Sequence, residues 1–133
     1  MAKILLVEDD KLLRTMYQTQ LGQRGYDVVT AETGKAVLAL LLSYRPDLIL
    51  LDIMLPGGMH GFDILQQIRI REEFKKTPVI MMTTLESEKA TAMSSGAQDF
   101  IVKNKVTIEE VVAVIEKYLK KEIPPSSSPP ATS

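Results

Sequence analysis

The chain has 133 residues, 45% hydrophobic and 25% charged, which suits one globular domain able to bury a core without staples. It has no cysteine and one histidine, His60, so disulfides, zinc-thiolate sites, thiol nucleophiles and multi-histidine metal sites are excluded. Sixteen basic and 17 acidic residues leave a net charge of -1, which gives no bulk attraction to nucleic acid or anionic membrane. The N-terminus reaches Glu8 and Asp9 too early for a signal peptide, and the longest apolar run, Ala36 to Leu42, is too short to span a bilayer. The expectation is a soluble cytoplasmic protein without a membrane partner.

Ile4-Leu5-Leu6-Val7 is a short apolar run that stops at acids, the pattern of a buried strand. Asp10 can cap the following helix, in which Leu13, Met16, Tyr17 and Leu21 recur at helical spacing and which ends at Gly25. A second strand is predicted over Tyr26–Thr30. Thr33 then caps a helix that turns Ala36, Val37, Leu40, Leu41 and Tyr44 inward and stops at Pro46. Leu48-Ile49-Leu50-Leu51 is the most apolar strand and ends at Asp52. A glycine-rich loop follows, with Gly61 near the start of a third helix bearing Leu65 and Ile68.

Pro78–Met82 reads as a fourth strand ending at Thr83, and a short helix from about Ser87 to Ser95 stops at Gly96. Phe100–Val102 is a fifth strand ending at Lys103. Thr107 and Glu110 form a capping box for a last helix with Ile108, Val111, Val112, Ile115 and Leu119 on one stripe. The tail from Ile123 to Ser133 is rich in proline and serine and reads as a linker or disordered segment, leaving 1–122 as the domain.

Strand and helix thus alternate five times, and the strands are near-continuously apolar. Such strands are buried on both faces, which implies a parallel sheet between two helical layers. The fold predicted is a doubly wound, flavodoxin-like α/β sheet of order 2-1-3-4-5. Ligands of such sheets bind outside the carboxyl ends of the strands. That rim collects Glu8 and Asp9 from strand 1, Asp52 from strand 3, Thr83 from strand 4 and Lys103 from strand 5.

Crowded carboxylates repel one another unless a cation intervenes, and a hard divalent ion with oxygen ligands, magnesium, answers that best. Lys103 adds a fixed positive charge and Thr83 a hydroxyl donor, so the rim suits a phosphoryl group. A carboxylate attacking phosphorus yields an acyl phosphate. Taken singly, each of these residues is an ordinary loop or helix-start residue; what distinguishes them is that all follow directly on predicted strands.

Four segments carry a family resemblance: Ile4 to Asp10, Asp47 to Pro56, Pro78 to Thr83 and Gly96 to Lys103. In this order and spacing, the chain from Lys3 to about Lys121 resembles the receiver domain of two-component response regulators, of the chemotaxis-regulator type. The resemblance implies that Asp52 is the phosphoacceptor and Asp9 a direct magnesium ligand. Glu8 would bind the metal directly or through water, Met54 would offer its backbone carbonyl, and Asp10 would not be a ligand. It implies a phosphohistidine donor on a sensor histidine kinase or a histidine phosphotransfer protein, a downstream protein target, and no classical enzyme activity beyond self-phosphorylation and dephosphorylation.

It also implies that Thr83 and the strand-5 aromatic, here Phe100, relay phosphorylation to the surface of helix 4, strand 5 and helix 5; the alternative for Phe100 is a static core aromatic. Two departures stand out. Asn104 replaces the proline usual after the lysine, and a cis bond is costly without proline, so the Lys103 loop is expected to differ. The loop Gly57-Gly58-Met59-His60-Gly61 is one residue longer than usual. The competing functions are a flavodoxin-like cofactor-binding protein, which Glu8-Asp9-Asp10 disfavours by repelling phosphate, and a docking module that is never phosphorylated, which the intact acids, Thr83 and Lys103 disfavour.

Overall fold

A computed structural model describes residues 2–56 and 60–122. The tail predicted from Ile123 onward and the loop residues Gly57 to Met59 lie outside the described residues. Among the described residues five strands and five helices alternate: β1 Lys3–Val7, α1 Lys11–Gln23, β2 Asp27–Ala31, α2 Gly34–Tyr44, β3 Leu48–Asp52, α3 Gly61–Arg69, β4 Val79–Thr83, α4 Lys89–Ser94, β5 Asp99–Val102 and α5 Ile108–Glu122. Short 3-10 turns occupy Glu72–Phe74, Glu86–Glu88 and Lys103–Lys105.

The strands form one sheet of order β2-β1-β3-β4-β5, and every pairing is parallel. This is the doubly wound, flavodoxin-like order expected from the apolar runs. Side chains alternate across the sheet. Leu5, Val7, Ile49, Leu51, Val79 and Met81 therefore pack on one face with Val37, Leu41, Ile64, Leu65 and Ile68 of α2 and α3. Ile4, Leu6, Leu48, Leu50, Ile80 and Met82 pack on the other with Tyr17 and Leu21 of α1 and Val111, Ile115 and Leu119 of α5. The central strands β3 and β4 are buried at every position, whereas the outer strands β2 and β5 are only partly buried. Apolar burial on both faces is the chief source of stability here.

Caps mark the helix starts that the sequence predicts. Asp10 Oδ1 accepts from the backbone N–H of Leu12 and Leu13 at 2.9 and 3.1 Å. Thr33 Oγ1 accepts from Ala36 N at 3.2 Å. Thr107 and Glu110 form the reciprocal box, with bonds of 2.8 and 3.1 Å. Two expectations are corrected. Met16 is exposed, because the buried stripe of α1 runs through Tyr17 and Leu21 with Leu13 half-buried beside them, and Met16 lies on its flank. The fourth helix begins at Lys89 rather than near Ser87, because Glu86–Glu88 wind as a 3-10 turn first.

One glycine fixes the approach of α3 to the end of β3. Gly61 N donates to Ile53 O at 2.8 Å. A Cβ at Gly61 would lie 2.5 Å from Asp52 O and 2.6 Å from Ile53 Cα, backbone atoms that cannot rotate aside. Gly61→Ala is expected to lower unfolding free energy by about 2–3 kcal/mol, the upper part of the overpacking range, because relief requires backbone movement. Urea unfolding checks this, and an alanine variant as stable as the parent would contradict the packing described.

Candidate functional site

At the carboxyl ends of the strands lies a cleft of about 340 Å³. Glu8, Asp9 and Asp10 line it from the end of β1, Asp52 and Met54 from β3 and its loop, Thr83 and Thr84 from β4, and Lys103 from beyond β5. The strand-end residues that the sequence predicts are thus brought together. The parallel register accounts for this: Val7 pairs with Leu51, Asp52 with Met82 and Thr83 with Val102, so the chain leaves each strand at nearly one level.

Glu8 and Asp52 are buried, and Lys103 lies between them. Its Nζ donates to Glu8 Oε1 at 2.9 Å and to Asp52 Oδ2 at 3.0 Å, with 11% of the lysine side chain exposed. The second oxygen of each acid accepts a backbone N–H: Asp10 N donates to Glu8 Oε2 at 3.1 Å and Met54 N to Asp52 Oδ1 at 3.2 Å. Burial pushes the Glu8 carboxyl above its usual range, and the Asp52 charge adds to this, against the opposing Lys103 ammonium and Asp10 N–H. Burial acts to lower the Lys103 pKa, yet its bonds to Glu8 and Asp52 outweigh that and raise it. Asn104 does not prevent this reach. No cis peptide occurs among the described residues, and Lys103 leaves β5 through a 3-10 turn.

Asp9 is exposed at the cleft, and its carboxylate, with those of Glu8 and Asp52, places one oxygen each within 4.8 Å of the others. Three hard oxygen donors with a single ammonium among them retain excess negative charge. That donor set fits a magnesium ion. Asp10 stands apart in role, since its carboxylate is occupied by the cap of α1.

Thr83 is buried, and its Oγ1 accepts from Leu85 N at 3.2 Å. Phe100 pairs with Met81, two residues before Thr83 on the same face of the sheet, and packs half-buried against the core on that face. It also lines a second cleft with Lys105, Val106 and Val114, where Lys105 Nζ bonds Glu86 Oε1 at 2.9 Å across the two loops. Met54 and Leu85 are 57% and 51% exposed beside the site.

Arg14 escaped the sequence reading. Its guanidinium donates to Glu8 O at 3.0 Å and Asp9 O at 3.2 Å, so it clamps the acidic loop from the first turns of α1. The available signal was its place four residues after the Asp10 cap, which turns an arginine back over the loop.

Residues 4–116 match the response regulator receiver domain family. The chain is 39% identical over 105 residues to the transcriptional regulatory protein AfsQ1 of Streptomyces coelicolor, covering 77% of this chain and 45% of that protein. It is 39% identical over 124 residues to the response regulator ArlR of Staphylococcus saprophyticus, covering 92% of this chain and 54% of ArlR. The chain spans about half the length of these curated relatives. Among solved structures, the chemotaxis protein CheY4 of Vibrio cholerae superposes with a TM-score of 0.81 at 32% identity, covering 89% of this chain and 98% of CheY4. The BeF3-activated receiver domain of RstA from Klebsiella pneumoniae superposes with a TM-score of 0.80 at 28% identity, covering 89% of this chain and 98% of that one. With strand order, rim chemistry and relatives in agreement, the chain belongs to the response regulator receiver domain family, the phosphoacceptor switches of two-component signalling.

Proposed function

We propose that Asp52 is the phosphoacceptor and that it takes its phosphoryl group from a phosphohistidine on a sensor histidine kinase or a histidine phosphotransfer protein. The observation that carries this reading is the convergence of Lys103 on Asp52 and Glu8, with Asp9 at the same rim. An Asp52 carboxylate oxygen attacks phosphorus, the P–O bond forms, and the P–N bond breaks with its electron pair leaving on the imidazole. Lys103 keeps its ammonium beside the new phosphoryl oxygens, and the Thr83 hydroxyl turns from Leu85 N to donate to one of them. Glu8, Asp9 and Asp52, with the Met54 backbone carbonyl, would hold a magnesium ion, which would supply positive charge against the phosphoryl oxygens. The activity is confined to the protein's own phosphorylation and dephosphorylation.

Movement of Thr83 opens space on the face it shares with Phe100, and rotation of that ring re-forms the surface of α4, β5 and α5 for a downstream protein. The setting is cytoplasmic. No helix among the described residues is long and apolar enough to cross a membrane. The near-neutral charge supports recognition of protein rather than nucleic acid by this chain. The domain runs over 1–122, with the Pro/Ser-rich residues from Ile123 as a tail or linker. Incubation with acetyl phosphate and magnesium is expected to add one phosphoryl group by intact mass, and EDTA to abolish the gain. A gain insensitive to EDTA would argue against the metal-assisted site.

The same site sets the lifetime of the phosphorylated state. Met54 and Leu85 are both exposed beside it, and neither can hold a water in line by a strong hydrogen bond. Slow hydrolysis is the expected outcome. Exchanging them in a Met54→Asn, Leu85→Glu double variant is expected to speed loss of phosphate by about ten-fold, some 1.4 kcal/mol of barrier. Phosphorus NMR after donor removal reads this, and an unchanged decay would show that neither side chain controls the water.

A further inference from the structure

We propose that Arg14 is a positioning residue for the divalent-cation site: it holds the backbone of Glu8 and Asp9 so that the Asp9 carboxylate already faces Glu8 and Asp52 before the ion arrives. The proposal rests on the magnesium reading of the acidic cluster. Asp9 is the exposed member, and among the described residues no hydrogen bond to its carboxylate fixes it, whereas Glu8 is held by Lys103 and Asp10 N. Its orientation must therefore come from its backbone. That backbone is tied at three points. Glu8 N donates to Ala31 O at 3.0 Å, Asp10 caps α1, and one Arg14 nitrogen, Nη1, bridges the carbonyls of Glu8 and Asp9.

Arg14 suits this work because it is itself held. It sits in the first turns of α1, where its N–H bonds Asp10 O at 2.9 Å, and its side chain is 13% exposed. Its other terminal nitrogen, Nη2, reaches Glu32 Oε2 at 3.4 Å, but that partner is 63% exposed. A pair of that kind contributes little by itself. The two carbonyl bonds are the ones that order the loop. A loop ordered in advance spares the ion the entropy of ordering it.

The charge of Arg14 makes the inference decisive to test. A guanidinium close to a magnesium site repels the ion, so loss of charge alone would tighten binding. Loss of the clamp weakens it. Magnesium titrations by calorimetry on the whole chain separate the two. Arg14→Met, which keeps the apolar stem, is expected to raise the dissociation constant about ten-fold or more, within the range that partners of metal ligands command. Arg14→Gln, which can restore one carbonyl bond without charge, is expected to recover part of the loss and serves if the methionine variant fails to fold. Glu32→Gln is expected to stay within about two-fold of the parent, as the weak effect of an exposed pair requires.

Thr107→Ala removes a cap from α5 at a residue that does not line the cleft, and controls for stability alone. It is expected to leave affinity unchanged. Equal or tighter binding by both Arg14 variants, or equal weakening by Thr107→Ala, overturns the proposal. A parent that binds no magnesium overturns the metal reading itself, and the inference with it; a parent that binds beside unaffected Arg14 variants overturns the inference alone.

Discussion

Replacing Asp9 by alanine is expected to weaken magnesium binding by at least about ten-fold, while the same change at Asp10 leaves affinity within about two-fold. The two acids are adjacent and carry equal charge, so long-range attraction does not separate them. Geometry does. The Asp9 carboxylate reaches the cluster with Glu8 and Asp52, and its loss removes a ligand outright. The Asp10 carboxylate is not part of that cluster, and its Oδ1 accepts from the N–H groups of Leu12 and Leu13. Its replacement should appear in stability, at about 1 kcal/mol, the usual value of a helix cap. Titration of magnesium against each variant, alongside urea unfolding, gives both numbers. Retained binding in Asp9→Ala with loss in Asp10→Ala would reverse the assignment of roles.

The second large effect concerns Lys103. Among the described residues it is the only cation bonded to the buried pair, with 2.9 Å to Glu8 and 3.0 Å to Asp52. Lys103→Met leaves two buried carboxylates facing each other without a countercharge. Removing one partner of a fully enclosed ion pair costs about 3–5 kcal/mol. Here 11% of the Lys103 side chain is exposed at the cleft, so a smaller loss of about 2–3 kcal/mol is expected without magnesium. The deficit should shrink as magnesium is added, because an ion that binds the folded state alone stabilises it by mass action. The variant should therefore gain more from magnesium than the parent does. Phosphoryl uptake should slow by about ten-fold or more, since the fixed charge beside the transferred oxygens is gone. A Lys103→Met protein as stable as the parent in EDTA would contradict this account of the ion pair.

Much of the fold could be read from the chain because its signals were local and consistent. Leu48-Ile49-Leu50-Leu51 is too short and too apolar to be anything but a buried strand, and Asp10, Thr33, Thr107 and Gly96 each mark a helix end by their own chemistry. Parallel register then brought Glu8, Asp9, Asp52, Thr83 and Lys103 to one rim. The division of labour within Glu8-Asp9-Asp10 was less accessible. Helix-start chemistry marks Asp10 as a cap candidate, but its exclusion as a metal ligand came from family resemblance. Which is buried, which exposed and which a cap follows from where β1 ends relative to Lys103, ninety-five residues away in sequence. Arg14 was missed for a related reason. An arginine on an amphipathic helix ordinarily faces solvent, and its bonds to the carbonyls of Glu8 and Asp9 depend on the loop bending back over α1. The early 3-10 turn before α4 was also unreadable, because Glu86-Ser87-Glu88 suits either winding.

The most direct test of the central reading locates the phosphoryl group. The parent and Asp52→Ala are treated with acetyl phosphate and magnesium, the acyl phosphate is trapped by borohydride reduction, and the peptides are mapped by mass spectrometry. The account predicts one modified residue, Asp52, in the parent and no phosphoryl gain in the variant. Undiminished phosphorylation of Asp52→Ala, or modification mapping to Asp9 or Glu8 in the parent, would contradict it.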